Sequence, residues 1–481
     1  MFLNRIIEKM LYIILFQLLM VYGSTITSTF SQQVHLFENE PALQRIFQRP
    51  LPPAIPGSSN RYKNLVPVYE GCNIEFAFPS EKERLSALAT GKYDPDSPIP
   101  IDVDVYFPII IVIMILIISF FFFPGSNSSD AYVEPQIFIT IPRFADGVPY
   151  SLAMLSNVLR PNGSEFTAYP DYYWHNSHGQ DCDGITSVYR IQIDSCNRMW
   201  VLDSGEIDFV QHCAPQLIVF DLATKTLVHR YRLPTDVFRT SSSRFVTPLI
   251  DVIDYPPLGD CKKAFVYLAD ALSYALVVYD VQKGKSWRIS NKYTLADPDF
   301  ATLTIAGESF ELTDGIFGLT VTPPNLGFKR RMLYFHSLCS DAQIAVPLDV
   351  INNETLWIHG ITSSLEEFVL LGRRGVQCAT SAMTSHGFLL CGFLNPIAIV
   401  GWNIRTPYIT SNRIILAENP HTLQFVSGLK VIRNPTGKEE VWMLSNRLQK
   451  SFVGTMNYHE INYRIQRCGV DELLFGQECK P

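Results

Sequence analysis

The sequence predicts an all-β fold: a six-bladed β-propeller with a short N-terminal helical segment. Three observations lead there. A short apolar strand ending in a polar or small residue recurs six times along the chain. Long stretches of helical periodicity are scarce, and the apolar runs are bounded by Gly, Pro, Asn and Asp, as strands are.

The copies lie at 137–141, 200–203, 266–270, 333–337, 388–392 and 441–446. They start roughly 50–70 residues apart, a spacing that fits four-stranded blades with long loops. A second run follows most of them at a regular offset, at 217–222, 276–281, 344–350 and 397–404. Strands do not alternate with helices, which argues against a parallel sheet with crossover helices. The best helix is 80–90, with Ser80 as cap, Glu83 three residues on and Gly91 as its stop. In a propeller, polar residues at strand ends face the mouth of a central channel, where ligands sit. Interest therefore falls on the ends of the repeats and on two turns, Asp183-Gly184-Ile185 and Asp314-Gly315-Ile316.

Residues 1–23 read as a signal peptide. Arg5 and Lys9 precede an apolar stretch at 10–21, and Gly23 and Ser24 offer small residues for cleavage. An extension covers 24–64, the propeller 65–470 and a tail 471–481. Ten cysteines without zinc spacing fit an oxidising, extracellular compartment. Sequons at Asn127, Asn162 and Asn353 agree, and glycosylation is expected at Asn162 and Asn353. With 47% apolar and 18% charged residues the chain is globular rather than disordered. A net charge of −7 and the lack of a basic run exclude a nucleic-acid partner.

An apolar insertion at 107–134 interrupts the propeller. Its centre, 109–123, carries no charge and with its flanks approaches the length of a membrane span. A stop-transfer helix there would leave most cysteines and all three sequons in the cytosol, which argues against it. Two readings stay open. Four Phe codons before Pro124-Gly125 look like a pyrimidine tract ending in CAG, the mark of a translated intron. Otherwise the stretch is a genuine loop, buried or inserted in a membrane. A membrane partner is expected only if 107–124 is real.

Several stretches resemble the insect yellow / major royal jelly protein family. They include IPRFADGVPYSLA at 141–153, CDGITSVYRIQID at 182–194, CNRMWVLDSG at 196–205, DGIFGLTVTP at 314–323 and VWMLSNRLQKS at 441–451. The likeness runs from about residue 65 to 468, broken only by the apolar insertion. It implies a secreted six-bladed propeller with a channel for a small ligand. The family is associated with cuticle melanisation, dopachrome conversion, capture of biogenic amines and nutrition, so membership fixes fold better than function.

The resemblance implies a disulfide between Cys182 and Cys213. Cys378 and Cys391 face each other across a hairpin that turns at Ser385-His386-Gly387, where a bond has demanding geometry. Cys196 with Cys261 would tie neighbouring blades, and Cys468 with Cys479 would close the tail. Cys72 and Cys339 are left over. Staples, rather than redox catalysts, are the expected role.

Ligand contact is expected from Asn446, Asp314, Phe317, Asp203 and Thr186, with Asn446 at a position the resemblance places at the ligand pocket. Each Asp has a competing role, capping turns or bonding backbone between blades. Phe317 has one too, as core. His175 and His178, three apart in an irregular loop without a partnering cluster, do not make a metal site. Trp174 and Tyr172-Tyr173 are candidates for the channel rim. No triad order, glycine-rich phosphate loop or Walker motif stands out, so neither hydrolysis by a triad nor a cofactor is expected. The partner expected is a small aromatic or amine ligand bound in the channel and linked to pigmentation. Dopachrome conversion is the alternative, needing one base and a few donors for an enolate-like charge. A cuticle or other extracellular protein partner is the third reading.

Overall fold

The computed structural model describes residues 65–108, 134–161, 163–358 and 363–480. Within them six antiparallel sheets stand around a common axis, as the sequence predicts. Their innermost strands, blades 1 to 6 in order, are Asp102–Tyr106, Val188–Ile193, Phe245–Val252, Ile316–Val321, Cys378–Met383 and Phe425–Arg433. Each packs beside the next, and the sixth packs beside the first.

The recurring apolar runs are the second strands of their blades, such as Arg198–Asp203, Ala264–Asp270 and Glu439–Asn446. A second strand is covered by its blade on both edges and by neighbouring blades on both faces. Val201, Leu202, Leu268 and Ala269 are accordingly solvent-free. Such strands read as unbroken apolar runs, and for that reason the repeat is visible. The innermost strands face the axis and carry polar residues on one side, so their apolar signal is diluted.

The ring is closed by the beginning of the described chain. Val66–Gly71 pairs antiparallel with Tyr463–Gly469 and supplies the outer strand of blade 6. Glu75–Phe76 then runs parallel to the edge of blade 1. The helix Glu81–Ala89 follows, with the Ser80 hydroxyl accepting from the Glu83 amide at 3.2 Å. No described helix is long and apolar enough to cross a membrane.

Four disulfides are formed: Cys182–Cys213, Cys196–Cys261, Cys378–Cys391 and Cys468–Cys479. They fit an extracellular protein. Cys72 and Cys339 are free thiols, the latter buried with its pKa pushed up to about 12 by burial and the nearby Asp314. Asn353 is exposed, with its side-chain oxygen accepting from the Thr355 amide and hydroxyl. The signal peptide, Asn127, Asn162 and nearly all of the apolar insertion lie outside the described residues.

The insertion falls between two strands that pair directly. Tyr106 is opposite Gln136, and pairing continues to Asp102 opposite Thr140. A short turn would join them equally well. Deleting residues 109–133 is therefore expected to leave blade 1 intact, with a thermal midpoint equal to or above that of the full chain; a chain that no longer folds would refute this. Removing Cys196–Cys261, which ties blade 2 to blade 3, is expected to cost about 2–4 kcal/mol in denaturant unfolding.

Candidate functional site along the channel

The later residues of all six innermost strands enclose a central cavity of about 760 Å³. Asp102-Val103-Asp104 alternates, and the period of two turns both carboxylates to the same face, toward the axis. The Lys430 ammonium of blade 6 lies 3.0 Å from an Asp102 oxygen and donates to the Ile191 carbonyl at 2.6 Å. Blade 6 approaches this closely because residue 428 is glycine. A Cβ there would sit 2.9 Å from the Val103 nitrogen and 3.0 Å from the Asp102 Cα. Asp104 accepts from the Val105 and Ile193 amides, both at 2.8 Å. Burial raises its pKa to about 6, with Lys430 pulling the other way.

Arg190 crosses the channel above this layer. Its guanidinium donates to the Thr247 hydroxyl of blade 3 at 3.1 Å and to the Ser427 carbonyl of blade 6 at 2.9 Å. It also lies over the Phe317 ring of blade 4, 4.5 Å from the centroid. One buried side chain thus joins four blades. It lowers its own pKa by being buried, though Asp102 and Asp314 offset part of that.

On the other side of Arg190 is the channel mouth. Asp314 is walled by protein yet keeps some solvent contact, as at the bottom of a depression. Burial raises its pKa, while Arg244 and Arg190 act against the rise. Arg244 in turn pairs with Glu206 at 3.0 Å and covers the Phe209 ring at 4.7 Å. Tyr189 meets Phe144 edge-on at 5.5 Å, and Phe144 lies 6.3 Å from Phe209. The mouth therefore combines one perturbed carboxylate, two guanidiniums and a wall of aromatic rings. Such a set can bind an ammonium, polarise a ring oxygen, or move a proton.

Of the expected ligand residues, Phe317 lies under Arg190 and Asp314 feels its charge. Asn446 is buried and bonds to the Ser427 hydroxyl at 3.0 Å. Asn446 also donates to the Pro100 carbonyl at 2.8 Å and accepts from the Leu448 amide at 3.0 Å, so it clips blade 6 to blade 1. Asp203 and Thr186 sit beneath the mouth in blade 2. The Asp203 carboxylate accepts from the amides of Thr186, Ser187 and Gly205 and from Gln216, holding a turn. The Thr186 carbonyl accepts from Arg143, whose buried guanidinium is otherwise spent on the Val148, Pro149 and His175 carbonyls.

His175 is solvent-free, its ring nitrogens engaged by the Ser151 amide and the Tyr169 carbonyl, and burial takes its pKa down to about 3. Trp174 packs on Phe220 at 4.9 Å and Tyr172 leans on Phe78 and Tyr150, between blades 1 and 2. Sequence reasoning missed Asp104, Arg190, Lys430 and Arg244. The alternation of two carboxylates with two valines at 102–105 was the available signal for Asp104.

A closed six-bladed ring of antiparallel sheets around a polar axis defines a β-propeller. Residues 186–479 match the family model described as "Major royal jelly protein". The chain is 30% identical over 422 residues to major royal jelly protein 9 of Apis mellifera, covering 86% of this chain and 89% of that one. It is 30% identical over 355 residues to dopaminechrome tautomerase of Drosophila melanogaster, covering 72% and 75%. Protein yellow of Drosophila subobscura is 30% identical over 422 residues, covering 85% and 66%. The chain belongs to the major royal jelly protein family, of which the sequence resemblance gave the first sign.

Asp104 makes this site sensitive to pH. The native state holds its proton to higher pH than the unfolded chain does, so stability falls as pH rises from the ordinary 3.8 to about 6. The group's share is at most about 3 kcal/mol. Asp104→Asn is expected to flatten the pH dependence of the thermal midpoint across this window; an unchanged slope would count against the assignment.

Proposed function

We propose that this chain is a secreted propeller that binds a small aromatic, catecholamine- or indole-like ligand at the channel mouth and serves pigment chemistry. One observation carries the reading: the buried Asp314 carboxylate feels the charges of Arg190 and Arg244, which lie over the rings of Phe317 and Phe209. A catecholamine-like molecule offers a partner to each part. Its ammonium meets Asp314, its ring lies against aromatic side chains, and its hydroxyl or quinone oxygens meet the guanidiniums. Four disulfides and the apolar leader support secretion. Relatives named for yellow and for a tautomerase support the pigment link.

Titration calorimetry with dopamine and serotonin tests the binding. A one-site isotherm weakened about tenfold by Asp314→Asn, and less by Phe317→Ala, is expected. A flat trace with folded protein removes this reading.

A second reading, dopachrome-type tautomerisation, is favoured by the raised pKa of Asp314 itself. A carboxylate harder to ionise is a stronger base, and the guanidiniums would steady the enolate-like charge that proton removal creates. Turnover of dopaminechrome above its spontaneous rate is then expected to climb with pH through a pKa above the usual carboxylate range. Asp314→Asn should abolish it. Equal turnover by that variant excludes Asp314 as the base.

A further inference from the structure

The interface between blades 4 and 5 carries a group of side chains that lies apart from the channel. His336 lies on the second strand of blade 4, Cys378 on the innermost strand of blade 5, and Cys391 on the strand beside it. One ligand atom from each lies within 4.8 Å of the other two, and all three residues are buried. The His336 ring is seated against Gly318, where a Cβ would stand 2.1 Å from its Cε1.

The imidazole is arranged as a metal-bound one is. Its Nε2 is 3.1 Å from the Cys378 carbonyl, which can only accept, so Nε2 carries the proton and Nδ1 keeps its lone pair. Nδ1 is buried and has no partner among the described residues. A buried acceptor left unpaired is costly. Metal-ligating histidines commonly give the other ring N–H to a backbone carbonyl in the same manner, which fixes tautomer and orientation.

We propose that, with the Cys378–Cys391 bond open, Cys378, Cys391 and His336 hold one soft divalent cation of the zinc class. Two thiolates and one imidazole are a preferred donor set for zinc, and a tetrahedral ion would bring them to roughly 3.3–3.8 Å apart. The two sulfurs, bonded to each other in the disulfide, would move apart to that distance, and the imidazole is already within 4.8 Å of them. The ion and the disulfide exclude each other. A dithiol reductant gives two electrons to the disulfide and is itself oxidised to a disulfide; the two cysteine sulfurs then bind the ion as thiolates, releasing their protons. In reverse, a disulfide oxidant takes two electrons from the thiolates, the S–S bond forms and the ion leaves. The metal-bound chain would link blade 4 to blade 5, which none of the four disulfides does. It would also keep Cys378 and Cys391 together, away from the other cysteines, until oxidation.

The test uses the full chain made under reducing conditions with zinc present, in a background of Cys72→Ser and Cys339→Ser to silence the free thiols. Metal content by mass spectrometry is expected near one zinc per chain, and near none after oxidation. Cobalt in place of zinc should give thiolate charge-transfer absorption. His336→Ala is expected to weaken binding by about tenfold or more, and Cys378→Ser with Cys391→Ser to abolish it. Circular dichroism reports folding in parallel. A reduced, folded chain without stoichiometric zinc overturns the proposal. So does zinc retained by the double serine variant, or a reduced chain that stays unfolded with zinc, since this site exists only between packed blades.

Discussion

A propeller stands or falls by its seam. Five blades of this ring are made from consecutive chain, but the sixth takes its outer strand, Val66–Gly71, from the far end of the sequence. Without that strand Tyr463–Gly469 would present bare amides and carbonyls, and blade 6 would be free to drift from blade 1. Closure sets the spacing of the six innermost strands, and every feature of the axis follows from it. Gly428 can touch the Asp102 backbone only because the ring is tight at that junction. Asn446 bonds the Pro100 carbonyl across the same seam.

The channel that closure creates is divided by chemistry. Arg190 spans it, with partners on blades 3, 4 and 6. Below lies a cavity edged by the Asp102–Lys430 pair and by Asp104, a carboxyl whose pKa burial pushes up to about 6. Above lies the mouth, with Asp314, Arg244 and the rings of Phe317, Tyr189, Phe144 and Phe209. Buried charges cost least when paired and hydrogen-bonded, and nearly all of these are. Asp314 is the exception: no side chain neutralises it at contact distance among the described residues, and it keeps a path to solvent.

Much of the fold was legible in the sequence because second strands are covered on every side. Trp200-Val201-Leu202 and Val441-Trp442-Met443-Leu444 could hardly be anything else. The innermost strands were harder. Val188–Ile193 holds Arg190 and Gln192 toward the axis, so its pattern looks like a surface strand although it is one of the six innermost. Asp314, Phe317 and Asn446 were singled out separately; Phe317 lies under Arg190, whereas Asn446 is spent on the seam between blades 6 and 1. Arg190 itself was invisible. An arginine amid a strand is an ordinary exposed residue until the ring puts three other blades around it. Asp203 shows the converse, a conspicuous acid whose oxygens are spent on backbone amides.

The hairpin of blade 1 has its own lesson. Everything between Tyr106 and Gln136 is fastened at both ends by paired strands. The entropy of closing a loop grows slowly with length, by about 0.6 kcal/mol for each doubling. Blade 1 is therefore almost blind to how many residues that connection contains. What limits the length of that connection must therefore lie outside the pairing of the two strands that carry it.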